Sequence, residues 1–194
     1  MHTYSVNLKE RIYVIGALGI LSIVLISFAK SHLSQVASWL PLPSVFALFG
    51  FLVFIFDKYG WKWKLCQKTF IKTPNLNGEW SMSTRSSVKG FQEEYEAVLT
   101  IKQTWTHIFL FMDGEKATGS SVMAGIEFKT DDLYYLKWEY LSEMKPEYAS
   151  EEFMHYGMTK LMVIQGHDPV KMRGNYYADQ TRHSYGPVTL IKKA

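Results

Sequence analysis

Aromatic rings, hydroxyls and a few cations interleave through the C-terminal part of this 194-residue chain. Trp80, Trp105, Tyr140, Tyr156, Tyr176 and Tyr177 stand among Ser81, Thr106, Ser120 and Ser121, with Arg85, Arg182 and His155 in the same segment. Rings give faces for bases to stack on, and arginine makes charge-assisted hydrogen bonds to phosphate, so the set suits a small nucleotide. The same residues also suit a plainer arrangement, with Trp80 and Trp105 filling a core and Arg85 and Arg182 in solvent. Groups for covalent or metal chemistry do not assemble. No G-x-S-x-G elbow, phosphate-binding P-loop or C-x-x-C occurs. The histidines (His2, His32, His107, His155, His167, His183) fall at no metal-ligand spacing, and the lone Cys66 supports neither a thiolate site nor an internal disulfide. Glu93, Glu94 and Glu96 could be imagined as catalytic acids, but alternation puts Glu94 and Glu96 on a solvated face. Only His155 with Ser121 offers a hydrolase-like pairing. The reading is of a binding protein, not an enzyme, and it calls for no metal or cofactor.

The elements that would position these residues are strands. Tyr95, Ala97, Leu99, Ile101, Gln103 and Trp105 alternate with Glu94, Glu96, Thr100, Lys102 and Thr104, broken only by Val98, as in a strand with one buried face. Similar runs occupy residues 78–84, 107–112, 121–128, 133–141, 159–165, 170–177 and 187–191, with turn residues such as Asp113-Gly114, Asp131-Asp132 and Gly166 between them. Eight antiparallel strands in so short a segment close most simply into a small up-and-down barrel able to hold one ligand. Residues 145–156 are the longest break, expected as a helix or a loop lidding one end.

Two apolar stretches precede the strands. Residues 12–29 and 39–56 are each free of charge, and at 1.5 Å per residue each reaches about 27 Å, close to the hydrocarbon thickness of a bilayer. Neither carries the polar stripe of a soluble-core helix, and the second run argues against a signal peptide. The fold expected is therefore two N-terminal transmembrane helices followed by a small antiparallel eight-stranded β-barrel, divided into residues 1–72 and 73–194. Pro41 and Pro43 are expected in the opening turn of the second helix, after a short turn over residues 31–38. Residues 57–72 are expected to continue as helix or to lie at the interface. Lysines 9, 58, 62, 64, 68 and 72 with Arg11 flank the pair while only Lys30 lies between, which places both termini and the barrel in the cytoplasm. Residues 1–72 carry eight Lys or Arg against two acids, whereas residues 73–194 carry thirteen against sixteen. The basic balance thus belongs to the membrane part, and polymeric nucleic acid is not an expected partner of the domain.

The order of motifs resembles a known family. After a helical hairpin come L-N-G-E-W (residues 76–80), I-K-Q-T-W-T-H-I (101–108), Ser120-Ser121, a loosely matched L-x-Y-x-Y-L over 133–141, H-Y-G (155–157) and R-G-N-Y-Y-A-D-Q-T-R-H-S-Y-G-P-V-T-L (173–190). This resembles the two-transmembrane β-barrel effectors of bacterial CBASS anti-phage systems. The resemblance implies that a cyclic dinucleotide made by a partner nucleotidyltransferase binds the cytoplasmic barrel, that the protein forms a homo-oligomer, and that clustered helices breach the inner membrane and kill the infected cell. Carried over by motif, it assigns the ligand to Trp80, Arg85, Trp105, Thr106, Ser121, Tyr140, His155, Tyr177 and Arg182, with aromatics sandwiching bases, Arg and His at phosphates, and hydroxyls at base edges. Other readings stand beside it. A lipocalin-like tethered carrier would have an apolar cavity lined by Phe109, Phe111 and Met123; a membrane-bound hydrolase and a passive scaffold are the others.

Overall fold

The computed structural model describes residues 1–33, 43–130, 133–148, 154–164, 170–180 and 182–193. The chain divides into two compact units, Met1–Ser5 with Asn75–Ala194, and Val6–Pro74.

In the first unit, strand β1 is His2–Thr3, and eight longer strands follow: β2 (Gly78–Arg85), β3 (Glu94–Gln103), β4 (His107–Gly114), β5 (Ala117–Thr130), β6 (Leu133–Met144), β7 (Met154–Ile164), β8 (Lys171–Ala178) and β9 (Tyr185–Lys192). Strands β2 to β9 form an antiparallel meander closed by pairing of β9 with β2, the eight-stranded barrel expected. Two boundaries differ. β5 begins at Ala117, because residues 117–120, ahead of the run expected at 121, already pair with β6, Ala117 opposite Met144. β7 begins at Met154, so His155 and Tyr156 belong to a strand and not to the long break. Within that break Pro146–Tyr148 forms a 3-10 turn, and residues 149–153 lie outside the described residues, as do Asp131, Asp132 and Gly166. The expected irregularity at Val98 does not interrupt β3, where Leu99, Ile101 and Gln103 all point inward. The irregularities are instead on β5, where the register shifts between Ser121 and Met123, leaving Val122 as a bulge, and again between Phe128 and Thr130.

The barrel is filled at one end only. Trp80, Leu99, Ile101, Ile108, Leu136, Leu161, Met172 and Leu190 are almost wholly buried. The chain enters the barrel at this end, where the Leu76 N–H donates to Gln103 Oε1 at 2.8 Å and Trp80 Nε1 donates to the Leu76 carbonyl at 3.0 Å. Gln103 Nε2 in turn donates to the Tyr4 hydroxyl at 2.9 Å, which donates to the Thr104 carbonyl at 3.1 Å. Polar atoms in this packed end are thereby satisfied without water.

The second unit is helical. α1 (Leu8–Leu33) is long and apolar enough to cross a membrane and extends past both ends of the expected span. α2 (Val45–Lys58) packs along α1 but has 14 residues, about 21 Å, below the roughly 20 residues a spanning helix needs. Of the span expected over 39–56, the helix is seen from Val45 onward: Ser44 caps α2, its hydroxyl accepting from the Ala47 N–H at 3.1 Å, and residues 34–42, with Pro41 and most of the expected turn, lie outside the described residues. Pro43 precedes the helix instead of opening it. A 3-10 turn (Gly60–Lys62) and α3 (Lys64–Thr69) follow. Glu10 near the start of α1 is buried, and its carboxylate accepts the N–H groups of Lys72 and Thr73 at 2.8 and 3.1 Å, so the two ends of this unit are tied together.

Candidate functional site

The unfilled end of the barrel is a cavity of about 980 Å³, at the upper end of the 300–1,000 Å³ typical of small-molecule pockets. Strand alternation decides what lines it. Met82 and Thr84 come from β2, Tyr95 and Ala97 from β3, Trp138, Tyr140 and Ser142 from β6, His155 and Thr159 from β7, and Tyr176 from β8. Ser121 comes from β5 just before the bulge, and Arg182 from the β8–β9 connection.

Four of the residues singled out in the sequence therefore converge: Ser121, Tyr140, His155 and Arg182. An Arg182 N–H donates to His155 Nδ1 at 3.3 Å, and the His155 ring meets the Tyr140 ring edge to face at 6.2 Å between centroids. Arginine has no acceptor, so Nδ1 must be the unprotonated nitrogen and the imidazole proton sits on Nε2. Burial pushes the Tyr140 phenol up, against the opposing field of Arg182. It stays a neutral donor across physiological pH. Among the described residues, the hydroxyls of Tyr140, Ser142, Thr159 and Tyr176 form no hydrogen bond within the protein. Ser142 and Thr159 are also nearly buried, at 4% and 1% exposure. Hydroxyls that line a cavity without protein partners are what a polar ligand would satisfy.

The other five residues do not line the cavity. Trp80 is fully buried at the packed end, where its indole N–H is already used. Trp105 and Thr106 belong to the β3–β4 turn that closes that same end, Trp105 buried and Thr106 Oγ1 at 2.9 Å from His107 Nδ1. Arg85 shares the outward parity of Ser81 and Ser83 and pairs with Glu94 at 3.0 Å on the outer wall. Tyr177 is half exposed on the outside of β8, and its neighbour Tyr176 takes the inward place. Parity already favoured Tyr176, because Arg173 and Asn175 share the face of Tyr177. The sequence reading also passed over Tyr95, Ser142 and Thr159. Tyr95 carried a signal in its alternation, whereas nothing marks a lone Ser or Thr on an inward face as ligand-facing.

The mouth carries both signs of charge. Glu93, held below the usual carboxylate range by the Tyr95 hydroxyl and then Lys89, and Glu94, held down by Ser83 and then Arg85, sit with Glu96 and Glu115 opposite Lys116 and Arg182. The Ser121–His155 pair that a hydrolase would need is not formed: the Ser121 Oγ partners are the Leu110 N–H at 3.0 Å and His2 Nε2 at 2.9 Å. The residues expected to line a lipocalin-like carrier do not line the cavity: Phe111 and Met123 are exposed, and the Phe109 ring lies 6.2 Å from that of His2; the apolar part of the lining comes instead from Met82, Leu99, Leu110, Met112 and Trp138.

Fold and cavity together define a small antiparallel β-barrel, packed at one end and hollow at the other, of the kind that holds a small ligand. The chain belongs to the Cap15 family, for the family model of the Cap15 cyclic dinucleotide receptor domain matches residues 71–192, all eight long strands from just before β2 to the end of β9. It is also 27% identical over 165 residues to CD-NTase-associated protein 15 of Yersinia aleksiciae, covering 84% of this chain and 75% of that relative.

Replacing Arg182 with Gln is expected to weaken cyclic dinucleotide binding by about tenfold, the worth of one charge-assisted hydrogen bond. Tyr140→Phe should cost about three- to tenfold, by the same amount at pH 7 and pH 9, because the raised phenol does not ionise in that window. Calorimetric titration at the two pH values checks both.

Proposed function

We propose that this protein is a membrane effector of a CBASS-type anti-phage system: a cyclic dinucleotide enters the barrel cavity, the chain self-associates, and its helices damage the bacterial inner membrane, ending the infected cell. The observation that carries the reading is the cluster of unpartnered hydroxyls, Tyr140, Ser142, Thr159 and Tyr176, beside the Arg182–His155 pair. Arg182 and His155 Nε2 suit phosphate oxygens, the Tyr140 and Tyr176 rings suit base faces, and Ser121, Ser142 and Thr159 suit sugar or base edges. Arg85, Trp80, Trp105, Thr106 and Tyr177 lie outside that contact set.

Connectivity supports a membrane hairpin. β1 lies in the barrel before α1, and β2 lies in it after α3, so the chain leaves the barrel and comes back to it. If α1 crosses a bilayer, the chain must cross back before β2, and the charge-free stretch over 39–56 is the segment suited to do so. The tie between Glu10 and Thr73 suits the same geometry, since it holds the start and finish of the hairpin at one level. The flanking lysines favour the cytoplasmic side of the inner membrane for that level. Two helices enclose no pore, so damage requires many copies. A ligand drives such assembly only by binding the assembled form more tightly, about 1.4 kcal/mol for each tenfold shift.

The test uses the full chain in detergent and in vesicles containing phosphatidylglycerol. Cyclic di-AMP, cyclic di-GMP and cyclic GMP–AMP are added while particle size and dye release are followed. One of them should bind, enlarge the particle severalfold and release dye. Saturating binding with unchanged size removes the assembly step, and a panel without any binder removes the receptor role.

A further inference from the structure

The barrel wall is incomplete without residues from the far end of the chain. β4 and β5 pair over only three positions, Phe111↔Ser120, Met112↔Gly119 and Asp113↔Thr118. Below them the bulge at Val122 turns β5 away. β1 takes the vacated place, with His2 opposite Ile108, Thr3 opposite His107, and the Tyr4 N–H donating to the Thr106 carbonyl at 3.0 Å. The match to the receptor domain begins at residue 71, so this piece of wall lies outside it.

The contact between His2 and Ser121 has a definite chemistry. His2 Nε2 is 2.8 Å from the Ser121 carbonyl and 2.9 Å from its Oγ. A carbonyl only accepts, so Nε2 carries the proton. Ser121 Oγ receives the Leu110 N–H at 3.0 Å and shares the His2 proton, which fills its acceptor capacity. The hydroxyl hydrogen of Ser121 is left to be donated, and Ser121 lines the cavity.

We propose that β1 is a working part of the ligand site, fixing Ser121 as a hydrogen-bond donor toward an anionic ligand, and that it is the strap through which cavity occupancy reaches α1. Residues 4–7 alone join β1 to α1, a tether of about 14 Å at full extension. The ligand half of this inference rests on the receptor reading above; the wall half does not.

Hydrogen exchange and calorimetry on the full chain in detergent test it, with the same three cyclic dinucleotides as probes. In ligand-free protein, His2→Ala should speed exchange of the Leu110 and Tyr4 amides by about tenfold or more, by loss of the hydrogen bonds that seat β1. It should weaken the best-binding probe by about tenfold, and His2→Gln, whose amide can still donate to the Ser121 carbonyl, should recover most of that. Particle growth should stay reduced in His2→Ala even at saturating probe, a result that a loss of affinity alone would not produce. Should His2→Ala fail to fold, Ser121→Ala, which keeps the carbonyl and β1, must show the affinity loss. Unchanged exchange at Leu110 overturns the wall role. Full assembly of saturated His2→Ala overturns the strap. If no probe binds the unsubstituted protein, the receptor reading falls and the strap with it, while exchange at Leu110 still decides the wall.

Discussion

Gly157→Ala is expected to lower cyclic dinucleotide affinity by about a hundredfold or more while the barrel stays folded. Gly157 on β7 faces Tyr140 on β6, and a Cβ at that position would collide with the Tyr140 Oη and Cζ and lie 2.9 Å from Cε1. The obstructing atoms are the free end of a side chain, so the ring can swing away without moving the backbone. The open direction is the cavity itself, into space the ligand needs. The added methyl should cost stability only about 1–2 kcal/mol, as overpacking at a yielding site does. Loss of the Tyr140 donor and of the volume together should remove about 3 kcal/mol or more of binding, each tenfold being 1.4 kcal/mol. Calorimetry beside thermal unfolding separates the two quantities. The double variant Gly157→Ala/Tyr140→Ala restores the room, so it should bind more tightly than Gly157→Ala alone. Wild-type affinity in Gly157→Ala would place the ligand away from Tyr140.

Trp80→Ala is expected to act the opposite way, destabilising the protein by about 3–5 kcal/mol with little change in the affinity of whatever remains folded. Trp80 is fully buried, donates to Leu76 at 3.0 Å, and has Lys192 Nζ 5.6 Å from its ring centroid. Removing it opens a void at the only solidly packed end of the barrel and orphans the Leu76 carbonyl. That loss is a large part of the 5–15 kcal/mol margin of an ordinary domain. Trp80→Phe keeps most of the volume and should cost less than half as much. Denaturant midpoints for the two variants give the comparison. A Trp80→Ala protein of native stability that no longer bound ligand would return Trp80 to the ligand site.

These two residues show how residue type and residue position part company. Trp80 and Tyr140 are both aromatic and both on strands, and nothing in their local sequence says that one stabilises a core while the other borders a cavity. The distinction arises because inward-facing side chains are large, apolar and close-packed at the end where the chain enters, whereas toward the opposite end small residues such as Thr84, Ala97, Gly119, Ser121, Ser142 and Thr159 leave space between the larger Tyr95, Tyr140 and Tyr176. Trp105 and Thr106, beside the β3–β4 turn, went to the packed end for the same reason. Arg85 and Tyr177 are different: their outward parity could be read from Ser81 and Ser83, and from Arg173 and Asn175, on the same strands.

The sequence by itself determined what depends on neighbours along the chain. Period-two patterning marked eight strands, uninterrupted apolar stretches marked α1 and α2, and the order of motifs pointed to the family. Tertiary structure alone decided what depends on closure: that β9 meets β2, that β5 turns away at Val122, and that His2 fills the gap opposite Ser121. It also decided which end of the barrel is left hollow. The physical reason is that alternation specifies the face on which a side chain lies, whereas the space in front of that face is set by side chains from strands far away in sequence.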